Sequence, residues 1–187
     1  LMPYRYNLKE FGRWYAQLIS ESLGKKHKID SVESFEGITP QIAIGPYDQH
    51  SQLQLFNEGP DNKLILFIES EKVNNDIHLP SEIEFAKYQN YKQRSLFEIL
   101  KLSKSTTEYS LTKNGRPNVT ISIDELNEYH LGQLFYFFEL STVIIGGLLK
   151  VDPFNQPGVE LSKRAMNTLL GIEVDKDILE DFGKINT

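Results

Sequence analysis

Cysteine is absent from the 187 residues. A disulfide framework, thiol catalysis and a cysteine-ligated zinc site are therefore excluded, and an intracellular setting is favoured. Histidine is scarce, with four in the chain, and no two have the spacing of metal ligands. Basic residues are outnumbered, 20 against 26 acidic ones, for a net charge of −6. A broad nucleic-acid surface needs clustered Lys and Arg, which this balance disfavours. An anionic small substrate stays possible, because a few local cations outweigh a global charge. No basic head precedes an apolar run at Leu1-Met2-Pro3-Tyr4, so the start is not a signal peptide, nor does it resemble a natural start. Internal repeats and low-complexity tracts are missing too. Long apolar runs are limited to residues 131–149, with Phe135, Phe137, Phe138, Val143, Ile144 and Ile145. Glu139 sits in the middle of that run, and a carboxylate at mid-bilayer is costly. The run is expected to be a helix buried in a protein core, and no membrane partner is expected.

What is present suits a folded α/β domain. Hydrophobic residues make up 40% of the chain, and its length allows a sizeable core. Leu8, Phe11, Tyr15, Leu18, Ile19 and Leu23 follow a 3.6-residue period, so residues 7–23 read as an amphipathic helix, capped by Asn7 and stopped by Gly24. Residues 24–36 are polar and read as a loop. Residues 41–44 read as a short strand or extended piece. Asp48 is placed to cap a helix to about Phe56, and residues 63–68 form the clearest strand. Residues 95–113 read as a helix, residues 119–123 as a second strand, and Asp124 as the cap of the long apolar helix. A Pro- and Gly-bearing loop at 151–158 precedes a helix at about 159–170, and the tail beyond 173 allows one more short helix at 177–182. Strands alternating with helices imply a parallel central sheet flanked by helices, with ligands at loops beyond the strand carboxyl ends.

Three segments carry candidate chemistry. In Gln17-Leu18-Ile19-Ser20-Glu21-Ser22-Leu23-Gly24-Lys25, Gln17 and Glu21 are four apart and share a helix face. Glu21 lies near the negative end of the helix dipole, which strengthens a carboxylate as a base. A solvated glutamate paired with Lys25 fits the spacing as well. In Gly45-Pro46-Tyr47-Asp48-Gln49-His50, His50 falls in the first turn of a helix, where the dipole favours a neutral imidazole able to take a proton. A histidine that only packs or caps there fits too. His27, His78 and His130 have no such setting. In Phe154-Asn155-Gln156-Pro157-Gly158-Val159-Glu160-Leu161-Ser162-Lys163, Lys163 stands near the positive end of a helix, an odd place for a cation unless it meets an anion or a sugar oxygen. A surface lysine paired with Glu160 is the plainer alternative.

Taken together and in this order, the segments resemble the glucose-6-phosphate isomerase family. The third is similar to the family's C-terminal signature at Phe154, Asn155, Gln156, Gly158, Val159, Glu160 and Lys163, with Gly146-Gly147-Leu148-Leu149 matching its opening. The second is similar to the family's Gln-His stretch and closes with Glu58-Gly59. The first is similar to the Glu-Ser-Asn-Gly-Lys motif around the family's base. Leu23 stands where Asn is commonest, and Ser20 where Met is. The family's Gly-Gly-Arg signature and Ser/Thr phosphate loop have no counterpart here, since Asn114-Gly115-Arg116-Pro117 does not match.

The resemblance implies a sugar-isomerase-type domain over residues 1–187, a single C-terminal portion incomplete relative to the full-length enzyme, with a helical tail at about 173–187. It implies interconversion of glucose 6-phosphate and fructose 6-phosphate, in glycolysis and gluconeogenesis, by proton transfer through a cis-enediol. Glu21 would move the proton, and His50 and Lys163 would assist ring opening, with His50 reaching the site of the other subunit of a homodimer. Gln17 and Gln156 would contact substrate. No cofactor and no metal are implied. The implied partners are a sugar phosphate and the N-terminal portion of the same enzyme, in the cytoplasm, with no nucleic acid. The isolated chain is expected to be inactive without the phosphate loop. A non-catalytic sugar-phosphate-binding module of the same fold is the alternative.

Overall fold

The computed structural model describes residues 1–185. In chain order the elements are β1 (Met2–Pro3), α1 (Lys9–Leu23), β2 (Lys25–His27), β3 (Glu33–Glu36), α2 (Gln49–Glu58), β4 (Ile65–Ser70), α3 (Leu96–Lys113), β5 (Asn118–Ile123), α4 (Glu128–Leu149), α5 (Glu160–Leu169) and α6 (Lys176–Ile185). They group into two compact units. The first holds Leu1–Gln17 and Pro40–Phe138, and the second holds Leu18–Thr39 and the chain from Glu139 onward.

The first unit is built on a parallel sheet in the order β1-β4-β5. Residues 41–45 are not a regular strand, but they run extended beside β1. Leu1 donates to the Gln41 carbonyl at 2.8 Å, Ala43 to Leu1 at 3.0 Å and Gly45 to Pro3 at 3.1 Å. Strand β4 has side chains buried on both faces, as a central parallel strand should. Met2, Tyr4, Ala43, Phe56, Ile65, Phe67 and Leu111 form the core cluster, with the Tyr4 and Phe67 rings edge to face at 5.9 Å. The α/β class with a parallel sheet flanked by helices is thus the observed one.

Within that unit α3 carries a polar seam. The Tyr4 hydroxyl donates to Thr107 Oγ1 at 2.9 Å and accepts from Gln49 Nε2 at 2.8 Å. The Lys104 ammonium reaches Glu69 at 3.2 Å and Glu108 at 2.8 Å, and Glu108 also accepts from Thr120 at 2.8 Å. Buried polar groups are tolerated when they satisfy one another in this way.

Two local expectations are corrected in the elements around it. Asp124 does not cap the long helix; it pairs with Lys72 at 2.9 Å. Asn127 takes the cap position, its Oδ1 accepting from the His130 backbone at 2.9 Å. His130 therefore does sit in a first helical turn, but its ring lies 2.9 Å from the same Asn127 oxygen, a capping contact.

The second unit holds a hairpin where a loop is expected. Strands β2 and β3 pair antiparallel, and cross-strand ion pairs join Lys26 to Glu33 at 3.0 Å and Lys28 to Glu36 at 3.1 Å. Ser31, with φ of 67°, makes the turn, and Asp30 Oδ1 accepts from the Val32 backbone. The hairpin has no apolar alternation to reveal it. Charge complementarity between its arms is the signal the sequence does hold.

Helix α4 departs from the expected buried helix. By length and composition it is long and apolar enough to cross a membrane, yet only 22% of its most apolar window is buried. Leu134, Phe138 and Thr142 are buried, whereas Tyr136, Phe137, Leu140, Ile144 and Leu148 are exposed. Apolar composition dictates that such a helix wants cover, not that this chain supplies it.

Candidate active site

Helix α1 buries Phe11, Ile19 and Leu23 and leaves Gln17 and Glu21 exposed on one face. It stops where the Gly24 amide donates to the Ser20 carbonyl at 3.1 Å. Lys25 then turns inward. It is buried, and its ammonium donates to the Glu21 carbonyl at 2.6 Å. The spacing-based pairing of Glu21 with Lys25 therefore exists through the backbone oxygen. Burial pushes the Lys25 ammonium below its usual value, while the charges of Asp152 and Glu21 pull it back up.

His50 is the second residue of α2 and is exposed. The entry to this helix is held by several hydrogen bonds. Asp48 Oδ2 accepts from the Ile44 amide at 2.7 Å and Oδ1 from the Ser51 hydroxyl at 2.7 Å. Gln49 is tied to Tyr4 and to the Ser103 carbonyl. At Gly45 a Cβ would lie 2.4 Å from the Tyr4 ring, so the approach of this loop to the core requires glycine. The positive end of α2 thus presents an exposed imidazole on a fixed base.

The 150–159 loop begins where α4 ends. Lys150 has φ of 59°, and Val151 donates to the Gly146 carbonyl at 2.9 Å and is buried. Asp152 organises the next three residues: Oδ1 accepts from the Phe154 amide at 2.9 Å and Oδ2 from the Asn155 side chain at 2.6 Å. Gln156 is exposed and leads into a single 3-10 turn, Pro157–Val159. Lys163, in the first turns of α5, is exposed and donates to Glu160 at 2.8 Å, the plainer pairing that the spacing allowed.

Gln17 and His50 belong to the first unit, and Glu21, Gln156 and Lys163 to the second. Within the second unit, two of the three motifs meet. A cavity of about 520 Å³ is lined by Gly24 and Lys25 from the end of the first motif with His27 just beyond it, and by Asn155 and Gly158 from the third with Asp152 just before it. The lining does not include Glu21, Gln156 or Lys163, so the cavity flanks the proposed chemistry and is not a ready-made substrate pocket. Among the described residues no group of three or more His, Asp or Glu is placed to hold a metal ion. Sequence reasoning named Lys25 as a surface partner of Glu21 but missed its burial, and it missed Asp152. Both lie in or beside the motifs, but nothing in the sequence shows that Lys25 is buried.

Comparison with known proteins identifies the family. The phosphoglucose isomerase family profile matches residues 1–183. A glucose-6-phosphate isomerase of Carboxydothermus hydrogenoformans is 41% identical over 92% of this chain, and one of Methanocaldococcus jannaschii is 42% identical over 88%. This chain spans 38% of the length of each. Among solved structures, a hypothetical protein of Thermus thermophilus superposes with a TM-score of 0.84 at 34% identity, over 90% of this chain and 40% of that one. A glucose-6-phosphate isomerase of Chlamydia trachomatis shares the fold, with a TM-score of 0.79 at 22% identity over 99% of this chain and 37% of that one. The chain belongs to the phosphoglucose isomerase family.

Proposed function

We propose that the full-length protein containing this chain interconverts glucose 6-phosphate and fructose 6-phosphate, with Glu21 as the base that moves the proton between C1 and C2. The observation that carries the reading is the family match along residues 1–183, together with an exposed glutamate at the base position of its motif. A hexose phosphate is mostly a closed ring, so the ring opens first. His50, exposed at the positive end of α2, and Lys163, near the start of α5, assist that opening by moving a proton at the ring oxygen and the anomeric hydroxyl. Glu21 then takes the proton from the carbon next to the carbonyl and returns it to the neighbouring carbon through a cis-enediol. Gln17, one turn before Glu21 on the same face, and Gln156 hold sugar oxygens.

The remaining length of the enzyme supplies the phosphate clamp. A phosphate dianion needs several directed donors to exchange its water for protein contacts. The exposed apolar side chains of α4 support a larger assembly, with cover from the rest of the polypeptide or from a second copy in a homodimer. The absence of cysteine is compatible with the cytoplasmic setting that glycolysis and gluconeogenesis require.

The test is Glu21→Gln in the full-length enzyme. Isomerisation and solvent exchange of the substrate C–H are expected to vanish together, with substrate affinity largely kept. A variant with near-normal turnover overturns the assignment.

A further inference from the structure

Lys25 is 6% exposed, although lysine is seldom buried without compensation. Three features say what its burial achieves. Its ammonium donates at 2.6 Å to the carbonyl of Glu21. That carbonyl lies in the last turn of α1, where a side-chain donor commonly stands in for the next turn of the helix. Burial pushes the ammonium below its usual value, and the charges of Asp152 and Glu21 offset part of that. Asp152 in turn grips the next loop by its Phe154 amide and Asn155 side chain, the residues just before Gln156. Lys25 and Asp152 also line the same cavity. One buried cation therefore holds the helix end that bears Glu21 by a hydrogen bond and lines a cavity together with Asp152, Asn155 and Gly158 of the loop around Gln156.

We propose that Lys25 is a positioning residue, holding the Glu21 end of α1 in register with the 152–158 loop so that Glu21 and Gln156 meet the sugar in a fixed relation. The inference rests on the reading of Glu21 as the base. Lys25 does not act on the reacting atoms. It acts through the Glu21 backbone, and a carboxylate base displaced by an ångström loses its alignment with the C–H bond it breaks. A methionine at 25 would fill similar volume but give the carbonyl no donor and Asp152 no counter-charge.

The experiment uses the full-length enzyme with fructose 6-phosphate as substrate. Lys25→Met is expected to lower kcat by about a hundredfold, the scale of a small misplacement, with KM changed little. Lys25→Arg, which keeps charge and donors, is expected to recover at least a tenth of the wild-type kcat. Asp152→Asn is expected to lower kcat as well, and the double variant to be no slower than the slower single one, because both break the same link. A kcat within threefold of wild type for a folded Lys25→Met, a loss confined to KM, or fully additive losses in the double variant would each overturn the proposal. If Lys25→Met does not fold, Asp152→Asn carries the test: a kcat within threefold of wild type, or a loss confined to KM, overturns the proposal. Glu21→Gln, run in parallel, separates the two readings. An active Glu21→Gln removes the base and this proposal with it; an inactive Glu21→Gln beside an undiminished Lys25→Met removes this proposal alone.

Discussion

In the sheet-bearing unit, Lys104 has 5% of its side chain exposed, between Glu69 at 3.2 Å and Glu108 at 2.8 Å. In the other unit, Lys163 meets Glu160 at 2.8 Å with 63% and 60% of the two side chains exposed. The same kind of ion pair serves a different end in each place. Lys104 is part of a seam that fastens α3 to β4 and β5, and its charge is compensated from two sides. Lys163 stands in water, paired with a single exposed carboxylate on its own helix. The seam around Lys104 satisfies its polar groups internally, while Glu21, Gln156 and Lys163 of the second unit, like Gln17 and His50 of the first, face outward. Groups that bind and react need access to a partner, whereas groups that hold a fold need to be denied one.

If the first unit is the scaffold, its core should dominate stability. Phe67 is 0% exposed and packs on Tyr4, whose hydroxyl joins the network with Gln49 and Thr107. Phe67→Ala in the full-length enzyme is expected to cost about 3–5 kcal/mol of unfolding free energy, the usual range for emptying a large aromatic site. Equilibrium denaturation measures it. A loss below about 1 kcal/mol would mean that the sheet core is not what holds the molecule.

A smaller effect is expected from acid. Burial pushes the Glu108 carboxyl up, but hydrogen bonds from Lys104 and Thr120 and the charge of Lys104 outweigh it, so the group is held below its ordinary value of 4.5. A depressed carboxyl contributes stability that is fully present above its unfolded-state value and is lost as pH falls through the folded one. Stability is therefore expected to decline below about pH 4.5, and Glu108→Gln, already lacking the contribution, should decline less steeply over that window. Parallel stability curves for the two proteins would remove Glu108 from the seam.

The contrast between the units also explains which features are legible in the sequence. Strand β4 and helix α3 announce themselves, because continuous apolar runs and Ser95 as a cap, accepting from Glu98 at 2.8 Å, are local signals. The family is legible through a long pattern of motif residues, not through any physical property of one side chain. The β2–β3 hairpin is not, because its pairing is carried by charges such as Lys26 with Glu33 that look like a solvated loop. Spacing alone makes Lys25 a surface partner of Glu21; its burial comes only with the fold, which also brings the charge of Asp152, more than a hundred residues away, to act on it. The exposure of α4 is illegible for another reason: apolar composition gives no account of which polypeptide does the covering.

The smallest expected effect concerns the exposed pair itself. Glu160 lies in the first turn of α5, where a carboxylate also meets the favourable end of the dipole, and its ion pair with Lys163 spans three residues on one helix. Exposed pairs of this kind gain little, because water screens the attraction and two long side chains lose freedom to form it. Glu160→Gln is therefore expected to change the unfolding free energy of the full-length enzyme by no more than about 0.5 kcal/mol. Added salt should shrink even that difference, since screening at about 1 M reduces the reach of a charge to a few ångströms. Denaturation at low and high salt checks both statements. A salt-resistant loss above about 1 kcal/mol would show that Lys163 is fastened as firmly as Lys104, and it would then not be free to turn from Glu160 to a sugar oxygen.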